Sequence, residues 1–356
     1  MKRKKTKLKV KNILILIIVI VLIIKGCSLI FNKDETKKVN KKDTTTYSKE
    51  SLNKMNELNI KNKVDTKKYS KTLDTAIYSD EFNIDFVTYY ENIKYVDNDN
   101  FIIYINNLAK DGLAINEIDE ILSSYSSYSN FEIGNAKRYS AFKNKNPELK
   151  KQDIVTRVNL NLDKPYYTDT KRIEKQDDIY ALVNKYNYVD MSYVPKNLVP
   201  LFNNSNIKMV KVAADAYEEF VKAAKEDGIT FIGTTAYRDA GWQKSLYDSY
   251  VSKDGKAKAD TYSARPGYSE HQLGYSVDLN DPNYSEKRVS RDDYEWIKKN
   301  AYKYGFIIRY PENSENITGY QEEDWHIRYV GKDVAKEIHD KKITFDEYYD
   351  LYIKEH

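Results

Sequence analysis

The longest run of apolar residues in the chain lies close to the N-terminus. Residues 13–24 are only Ile, Leu and Val, and after Lys25 and Gly26 a second, mostly apolar stretch covers residues 27–31. Together they approach the roughly 20 residues that a helix needs to cross a bilayer. Seven Lys and Arg residues precede them between positions 2 and 11, and such a cluster favours the cytoplasmic side. Residues 1–31 are therefore predicted to be a basic cytoplasmic tail and a transmembrane signal anchor, with the remaining chain outside the cytoplasm.

Two alternatives for this segment stay open. A cleaved signal peptide has an apolar region of about 7–15 residues and an A-x-A-like cleavage site, and no such site follows here. A lipoprotein signal would make Cys27 the lipidated residue, although Lys25 fits it poorly and the apolar run continues past the cysteine. Cys27 is the only cysteine, so an intramolecular disulfide and a cysteine-rich metal site are both excluded.

The composition changes twice in the next segments. Residues 32–71 are rich in Lys, Asp, Thr, Ser and Asn and have few large apolar side chains, so a flexible stalk with weak helical character is predicted there. Between residues 72 and 150, apolar residues recur at helical spacing, as at Ile115, Ile118 and Ile121. This pattern predicts a small, mainly helical region.

Residues 153–356 have the pattern of a globular domain. Strands are predicted at 158–162, 229–236, 275–279, 306–310 and 325–330, and helices at 209–226, 241–250 and 294–304. Because strands and helices mix without regular β-α-β alternation, the fold class is α+β. The chain has 58 basic and 54 acidic residues, a formal net charge of +4, and this balance gives no indication of a nucleic-acid partner.

Two segments of this domain carry the clearest chemical signature. His271 and Asp278 lie in the first segment, and His326 lies in the second. Imidazole and carboxylate are ligands of Zn²⁺, and three protein ligands leave the fourth position to water, as in a catalytic zinc site. Glu323, three residues before His326, is placed to act as a general base. A histidine beside a tryptophan is often only a packed residue, and the chain has no H-E-x-x-H sequence, so spacing alone leaves both interpretations open.

The order of several motifs resembles that of the VanY-type zinc D-alanyl-D-alanine carboxypeptidases, which have the LAS-type fold. Residues 263–279, SARPGYSEHQLGYSVDL, are similar to the S-x-H-x-x-G-x-A-x-D motif, with Ser269, His271, Gly274 and Asp278 at the matching positions. Residues 323–331 are similar to the E-x-W-H motif and its R-Y-V-G extension, and residues 235–247 and 305–320 match further family segments. The resemblance covers roughly residues 179–331.

Two positions depart from the family pattern. Ser276 stands where the motif has Ala, which is a small change. Asp324 stands where the family commonly has Pro, between Glu323 and Trp325. Proline would stiffen this loop, so aspartate is expected to loosen the segment that carries the predicted base.

The resemblance implies a fold, a metal and roles for further residues. It implies a small antiparallel sheet with flanking helices that holds Zn²⁺ between His271, Asp278 and His326. It also implies that Arg238 holds the substrate's oxyanion or terminal carboxylate, that Ser269 hydrogen-bonds the terminal residue, and that Gln243 lines the substrate pocket or packs. The implied substrates are peptidoglycan stem peptides outside the membrane. We expect a monomer, although the sequence itself does not specify the oligomeric state.

Other activities remain possible within the same resemblance. Related folds act as L,D-carboxypeptidases, D,D-dipeptidases or peptidoglycan endopeptidases. A hypothesis of another class is a non-catalytic cell-wall-binding protein, in which residues 72–150 would be a wall-associated region and not only a spacer. The presence of all three ligands, the base and the arginine favours the enzyme.

Overall fold

The structure is a computed structural model that describes residues 46–282 and 289–355. The predicted signal anchor, residues 1–31, lies outside the described residues. Within the described ranges, no helix is long and apolar enough to cross a membrane. The chain divides into two compact units, with the boundary between Tyr69 and Ser70.

The described part of the first unit contains one helix, Lys49–Glu57. Ser48 caps it, because its side chain accepts a hydrogen bond from the backbone N–H of Ser51 at 2.9 Å, as is usual for serine at this position. Met55 is buried. The helix lies inside residues 32–71, for which the composition predicts a stalk with weak helical character.

The second unit begins with a helical region. Its helices are Lys71–Ala76, Val87–Asn92, Phe101–Lys110, Ile115–Tyr125, Ala136–Lys145 and Lys151–Asn159, with 3₁₀ turns at Ile84–Phe86 and Ile133–Asn135. One sequence expectation is wrong here. Residues 158–162, predicted as a strand, are the end of the last helix and a turn in which Asn161 has a φ of 62°. Alternation over five residues is too short to distinguish a strand from a helix end.

A buried tyrosine clamps the first half of the helical region. The Tyr90 hydroxyl accepts a hydrogen bond from the backbone N–H of Asn83 at 3.2 Å and donates one to Asn106 Oδ1. Asn106 Nδ2 in turn donates to the carbonyl of Glu81 at 2.8 Å. The ring of Phe82 lies 5.8 Å from the Tyr90 ring at an interplanar angle of 37°.

The second half repeats this clamp group by group. The Tyr139 hydroxyl accepts from the backbone N–H of Glu132 at 3.0 Å and donates to Asn159 Oδ1 at 2.7 Å. Asn159 Nδ2 donates to the carbonyl of Asn130 at 2.7 Å. The ring of Phe131 lies 5.6 Å from the Tyr139 ring at 41°. The helical region is therefore two copies of one structural unit, with the tyrosines 139 − 90 = 49 positions apart.

The remaining part of the second unit is built on three small sheets. The strands are β1 (Lys171–Arg172), β2 (Asn187–Tyr188), β3 (Leu198–Leu201), β4 (Asn204–Val210), β5 (Ile232–Thr235), β6 (Ser276–Asn280), β7 (Phe306–Ile308) and β8 (His326–Tyr329). β1 and β2 are parallel, β3 and β4 form an antiparallel pair, and the largest sheet is antiparallel with the order β5-β6-β8-β7. This arrangement is a mixed fold of helices and small sheets.

Helices flank these sheets. They are Lys211–Glu226, Ala240–Asp254, Lys256–Ala259, Arg291–Asn300, Glu315–Thr318, Lys332–Lys341 and Phe345–Tyr348, with 3₁₀ turns at Glu270–Leu273 and Ala301–Tyr304 and a π-helical turn at Tyr349–Ile353. The long helix Lys211–Glu226 packs against the large sheet through Phe220, whose ring stacks on that of Phe231 at 5.7 Å. Burial of these aromatic side chains fixes the sheet to the helix.

The C-terminal segment connects the helical region to the sheet-bearing part. Asp350 is fully buried, and its Oδ2 accepts a hydrogen bond from Asn130 Nδ2 at 2.7 Å. Lys354 pairs with Glu132 in the same place. The sequence places a domain boundary at residues 150–153, yet residue 153 lies within the helix Lys151–Asn159 and residues 70–356 form one compact unit.

Replacing either clamp tyrosine should destabilise the protein by a similar amount. Tyr90→Phe and Tyr139→Phe each remove a hydroxyl that hydrogen-bonds a buried asparagine. Because that asparagine loses its partner, we expect each change to lower the free energy of unfolding by about 1–3 kcal/mol. Urea unfolding followed by circular dichroism measures this. Tyr78→Phe is the control, because Tyr78 is exposed. A large effect at only one of the two clamps would contradict their equivalence.

Candidate active site

The first predicted metal ligand is held in a tight turn with its tautomer defined. His271 lies in the 3₁₀ turn Glu270–Leu273, which Gly274 ends with a φ of 73°. Its Nδ1 lies 2.7 Å from the carbonyl oxygen of Ala236. Because a carbonyl only accepts, Nδ1 carries the proton and Nε2 keeps its lone pair for a metal.

The other two predicted ligands face each other on neighbouring strands. Asp278 of β6 is directly opposite His326 of β8. Asp278 Oδ1 lies 2.9 Å from His326 Nδ1, and Asp278 Oδ2 lies 3.4 Å from His271 Nε2. The ligand atoms of all three residues lie within 4.8 Å of one another. The sequence prediction placed these three residues together, and the structure does so.

This donor set fits zinc. Donor atoms about 2.0–2.1 Å from a tetrahedral Zn²⁺ are about 3.3 Å apart. The two Asp278 oxygens each lie near that distance from one histidine, and the three ligand atoms lie within 4.8 Å of one another. Two imidazoles and one carboxylate are a catalytic set that leaves one position open. All three side chains are mostly buried, and Asp278 and His326 are on adjacent strands. Little rearrangement is therefore needed to bind the metal.

The three ligands shift one another's pKa values. Burial lowers the pKa of His271. Burial disfavours ionised Asp278, but the two histidines hold the pKa of its carboxyl well below the usual range. Burial also disfavours charged His326, yet the hydrogen bond to Asp278, the nearby carboxylate of Glu270 and the charges of Asp278 and Glu323 raise the pKa of His326 to about 9. In the metal-free protein His326 is therefore a charged imidazolium at neutral pH, with one proton more than the neutral ring that binds a metal.

The predicted general base lies beside the ligands on an ordered loop. Glu323 Oε2 is 3.8 Å from His326 Nδ1. The backbone N–H of Glu323 donates to the carbonyl of Tyr310 at 3.0 Å, which ties the loop to the segment after β7. The backbone N–H of His326 donates to the carbonyl of Glu323 at 3.4 Å. These bonds hold the loop in place although Asp324 replaces the family's proline.

The three remaining predicted residues line the same cavity. Its volume is about 140 Å³, and its lining includes Arg238, Gln243 and Ser269 together with the three ligands and Glu323. Arg238 follows β5, and its buried Nε has no hydrogen-bond partner among the residues described. Gln243 Nε2 donates to the carbonyl of Ala264 at 2.6 Å, and its buried Oε1 likewise has no partner in that part of the chain. All seven predicted site residues are thus brought together.

Sequence reasoning missed several residues of this site. Glu270, Tyr310 and Tyr320 also line the cavity. The Tyr310 ring lies 5.3 Å from the His326 ring. The sequence signal for Glu270 was its position next to His271 in the first motif. That position alone does not distinguish a buried site residue from an exposed acidic one. Its complete burial depends on arginines that are distant in sequence.

Comparisons with known proteins place the chain in a family. The family model described as VanY, D-alanyl-D-alanine carboxypeptidase, matches residues 206–332. Over 208 residues the chain is 39% identical to the putative carboxypeptidase YodJ of Bacillus subtilis, an alignment that covers 54% of this chain and 76% of YodJ. The chain belongs to the VanY family of D-alanyl-D-alanine carboxypeptidases.

Two further proteins are also similar to this chain. A D-alanyl-D-alanine carboxypeptidase of Enterococcus faecalis is 34% identical over 185 residues, which is 49% of this chain and 67% of that protein. A VanY D,D-pentapeptidase from a VanB-type resistance cassette, solved in complex with Zn(II), is 33% identical with a TM-score of 0.43, covering 48% of this chain and 97% of its own. All seven site residues lie inside the segment matched by the VanY family model.

Zinc affinity should depend on pH through His326. Because the pKa of His326 is about 9 in the metal-free protein, zinc must displace one proton at neutral pH, and the apparent affinity should rise about tenfold per pH unit between pH 6 and 7. Competition with a chromophoric chelator measures this. His339→Gln is the control, since His339 lies on the exposed helix Lys332–Lys341, and it should leave the slope unchanged. A flat profile would show that His326 is neutral before zinc binds.

Proposed function

We propose that this protein is a zinc-dependent D-alanyl-D-alanine carboxypeptidase that hydrolyses the terminal D-alanine from peptidoglycan stem peptides. The observation that carries the proposal is the position of Arg238 beside the three metal ligands in one small cavity. Within the described chain, Arg238 has no carboxylate within ion-pair distance, although the charges of Asp278 and Glu323 act on it. Membership of the VanY family supports the same activity.

The cavity suits the end of a peptide. A guanidinium presents paired N–H donors that match a carboxylate, and a free terminal carboxylate distinguishes a carboxypeptidase substrate. Pockets for drug-sized ligands are roughly 300–1,000 Å³, whereas this cavity is about 140 Å³. A space of this size fits one small terminal residue such as alanine, with the rest of the peptide outside.

Ser269 and Gln243 would orient that residue. Ser269 is almost fully buried at the start of the turn that carries His271. The amide of Gln243 is fixed by its bond to the carbonyl of Ala264, which leaves Oε1 to accept a hydrogen bond from the substrate. A fixed acceptor and a hydroxyl donor hold the scissile bond in one position, which lowers the entropic part of the barrier.

Glu323 would move the protons of the reaction. Bound zinc supplies Lewis acidity and makes a water nucleophile available at neutral pH. The Glu323 carboxylate, 3.8 Å from His326 Nδ1, takes the proton of the attacking water. It then delivers that proton to the amine of the departing D-alanine. Arg238 faces the negative charge that develops on the carbonyl oxygen or the charge of the terminal carboxylate.

The same residues would serve an L,D-carboxypeptidase, a D,D-dipeptidase or an endopeptidase. These activities differ in which peptide fits beyond the cavity, so product analysis distinguishes them. Loss of one alanine from a pentapeptide ending in D-Ala-D-Ala supports the proposal, and loss only from the tetrapeptide would assign L,D specificity. A protein that binds no zinc and releases no product would instead support a cell-wall-binding role.

We also propose that residues 1–31 anchor the protein as a single-pass membrane protein with its catalytic part outside the cytoplasm. The support is the apolar run preceded by seven basic residues. The stem-peptide substrate is in agreement with this placement. Carbonate extraction of membranes and protease accessibility of intact cells would test it.

Glu323→Gln should remove the general base and leave the metal site intact. We expect kcat to fall by about 10²–10⁴-fold, measured as chelator-sensitive release of D-alanine from the pentapeptide, with unchanged zinc content because Glu323 is not a predicted ligand. Glu322→Gln is the matched control and should retain activity. Undiminished D-alanine release by the Glu323 variant would assign the base to another group.

Arg238→Met should weaken both peptide binding and catalysis. The loss of a fixed cationic donor predicts a fall in kcat/KM of about 10²–10³-fold, and Arg238→Lys should recover only part of it because a single ammonium lacks the paired geometry. Lys244→Met removes the same charge from the exposed surface of the adjacent helix and serves as the control. If Arg238→Met and Lys244→Met had the same kcat/KM, substrate contact by Arg238 would be ruled out.

A further inference from the structure

The second nitrogen of His326 points at a buried carboxylate that the proposed mechanism does not use. His326 Nε2 lies 3.8 Å from Glu270 Oε2. Both atoms are buried, and neither has a hydrogen-bond partner among the described residues. Two unpartnered buried polar atoms facing each other are rare in folded proteins.

The geometry of the site defines which nitrogen carries the proton once zinc is bound. His326 turns Nδ1 toward Asp278 and the metal position, so Nδ1 needs its lone pair and Nε2 carries the proton. A metal-bound histidine normally donates this second N–H to a carboxylate or carbonyl. Glu270 Oε2 is the carboxylate oxygen on that side.

Two arginines hold Glu270 in this position. Arg309 Nε donates to Glu270 Oε1 at 2.7 Å, and Arg328 Nη1 lies 3.3 Å from the same oxygen. All three side chains are completely buried. Both cations lie on the Oε1 side of the carboxylate, which leaves Oε2 facing His326.

A second carboxylate balances the two arginines. Asp346 Oδ2 accepts a hydrogen bond from Arg309 Nη1 at 2.6 Å, and Asp346 Oδ1 accepts one from Asn184 Nδ2 at 2.9 Å. Asp346 is 1% exposed, and it lies beyond residue 332, where the VanY family match ends. Without it, Arg309 would keep one carboxylate partner, Glu270, and the buried cluster would have two cations for one anion.

We propose that Glu270 is a positioning residue for His326, and that Asp346 of the C-terminal segment holds Glu270 in place through Arg309. The inference rests on the proposed zinc-dependent function. Glu270 orients the His326 ring and fixes its Nε2–H tautomer, so that Nδ1 faces the metal. The C-terminal segment is thereby a supporting part of the metal site, although it contributes no ligand.

The chain offers a matched control four residues further along. Asp350 is in the same segment and is also a buried carboxylate, but its Oδ2 accepts hydrogen bonds from Asn130 and Asn159 of the helical region. Asp346→Asn and Asp350→Asn therefore make the same chemical change in the same segment. Only the first alters the charge that faces Arg309.

The experiment measures zinc affinity of the full chain by chelator competition, alongside thermal unfolding of the metal-free protein. We expect Glu270→Gln and Asp346→Asn to lose about 10–100-fold in zinc affinity, as is usual when a partner of a ligand is removed. Asp350→Asn should stay within about twofold of the unsubstituted protein. Unchanged affinity in both the Glu270 and the Asp346 variants would overturn the proposal, and so would an equal loss in Asp346→Asn and Asp350→Asn.

A second measurement needs no substitution. In zinc-loaded protein labelled with ¹⁵N at histidine, His326 should show a protonated Nε2 with slowly exchanging hydrogen and a metal-bound Nδ1. A proton on Nδ1 would overturn the proposal, and so would an Nε2 hydrogen in fast exchange, since a hydrogen bond to buried Glu270 protects it; this readout does not depend on the variants. Failure of the proposed function would look different from failure of this inference, because the unsubstituted protein itself would then bind no zinc or release no D-alanine.

Discussion

The site depends on the register between two antiparallel strands. β6 and β8 pair so that Asp278 stands opposite His326, and side chains directly opposite in such a pair lie about 4.5–5.5 Å apart at Cβ. A shift of either strand by one residue would turn its side chain to the other face of the sheet, away from its partner. Val277 and Ile327, which are also opposite each other, are fully buried in the core. The packing of these apolar residues therefore fixes the geometry of the polar ones.

Beside these strands the protein buries four charged groups, and their arrangement is specific. Glu270, Arg309, Arg328 and Asp346 are two anions and two cations with almost no exposure. Burying such groups gives little net stability compared with apolar residues of similar volume, whereas removing one partner costs about 3–5 kcal/mol. The arrangement is better explained by what it positions than by the stability it adds. Its Glu270 carboxylate faces His326, whose orientation the metal geometry requires.

The sequence was informative where the signal was local and failed where it was spread along the chain. Long apolar periodicity predicted the helix Lys211–Glu226, and the motifs predicted His271, Asp278 and His326 as neighbours. The pair β3–β4 was missed, since its short strands lie between polar residues. The role of Glu270 was also missed, because Asp346 is 76 positions away and becomes relevant only when the chain is folded.

The repeat of the helical region was hidden for a related reason. Phe82 and Phe131 are 49 positions apart, as are Tyr90 and Tyr139, but Asn106 and Asn159 are 53 apart. The corresponding helices, Phe101–Lys110 and Lys151–Asn159, begin 50 positions apart, so the spacing is not constant along the repeat. What recurs is a set of hydrogen bonds that needs only a few identical side chains, so most positions are free to differ. Self-comparison of the sequence at one fixed spacing detects such a repeat poorly.

The C-terminal segment joins these two parts of the molecule physically. Asp346 contacts Arg309 next to the metal site, and Asp350, one helical turn later, contacts Asn130 of the second helical unit. A chain that began at residue 153 would remove Asn130 and the first residues of the helix Lys151–Asn159. Asp350 would then lose the hydrogen bond that Asn130 donates to it, and with it one attachment of the C-terminal segment. The helical region therefore supports the C-terminal segment, which in turn supports the metal site. The catalytic part and the helical region form one structural unit and are not independent modules joined by a linker.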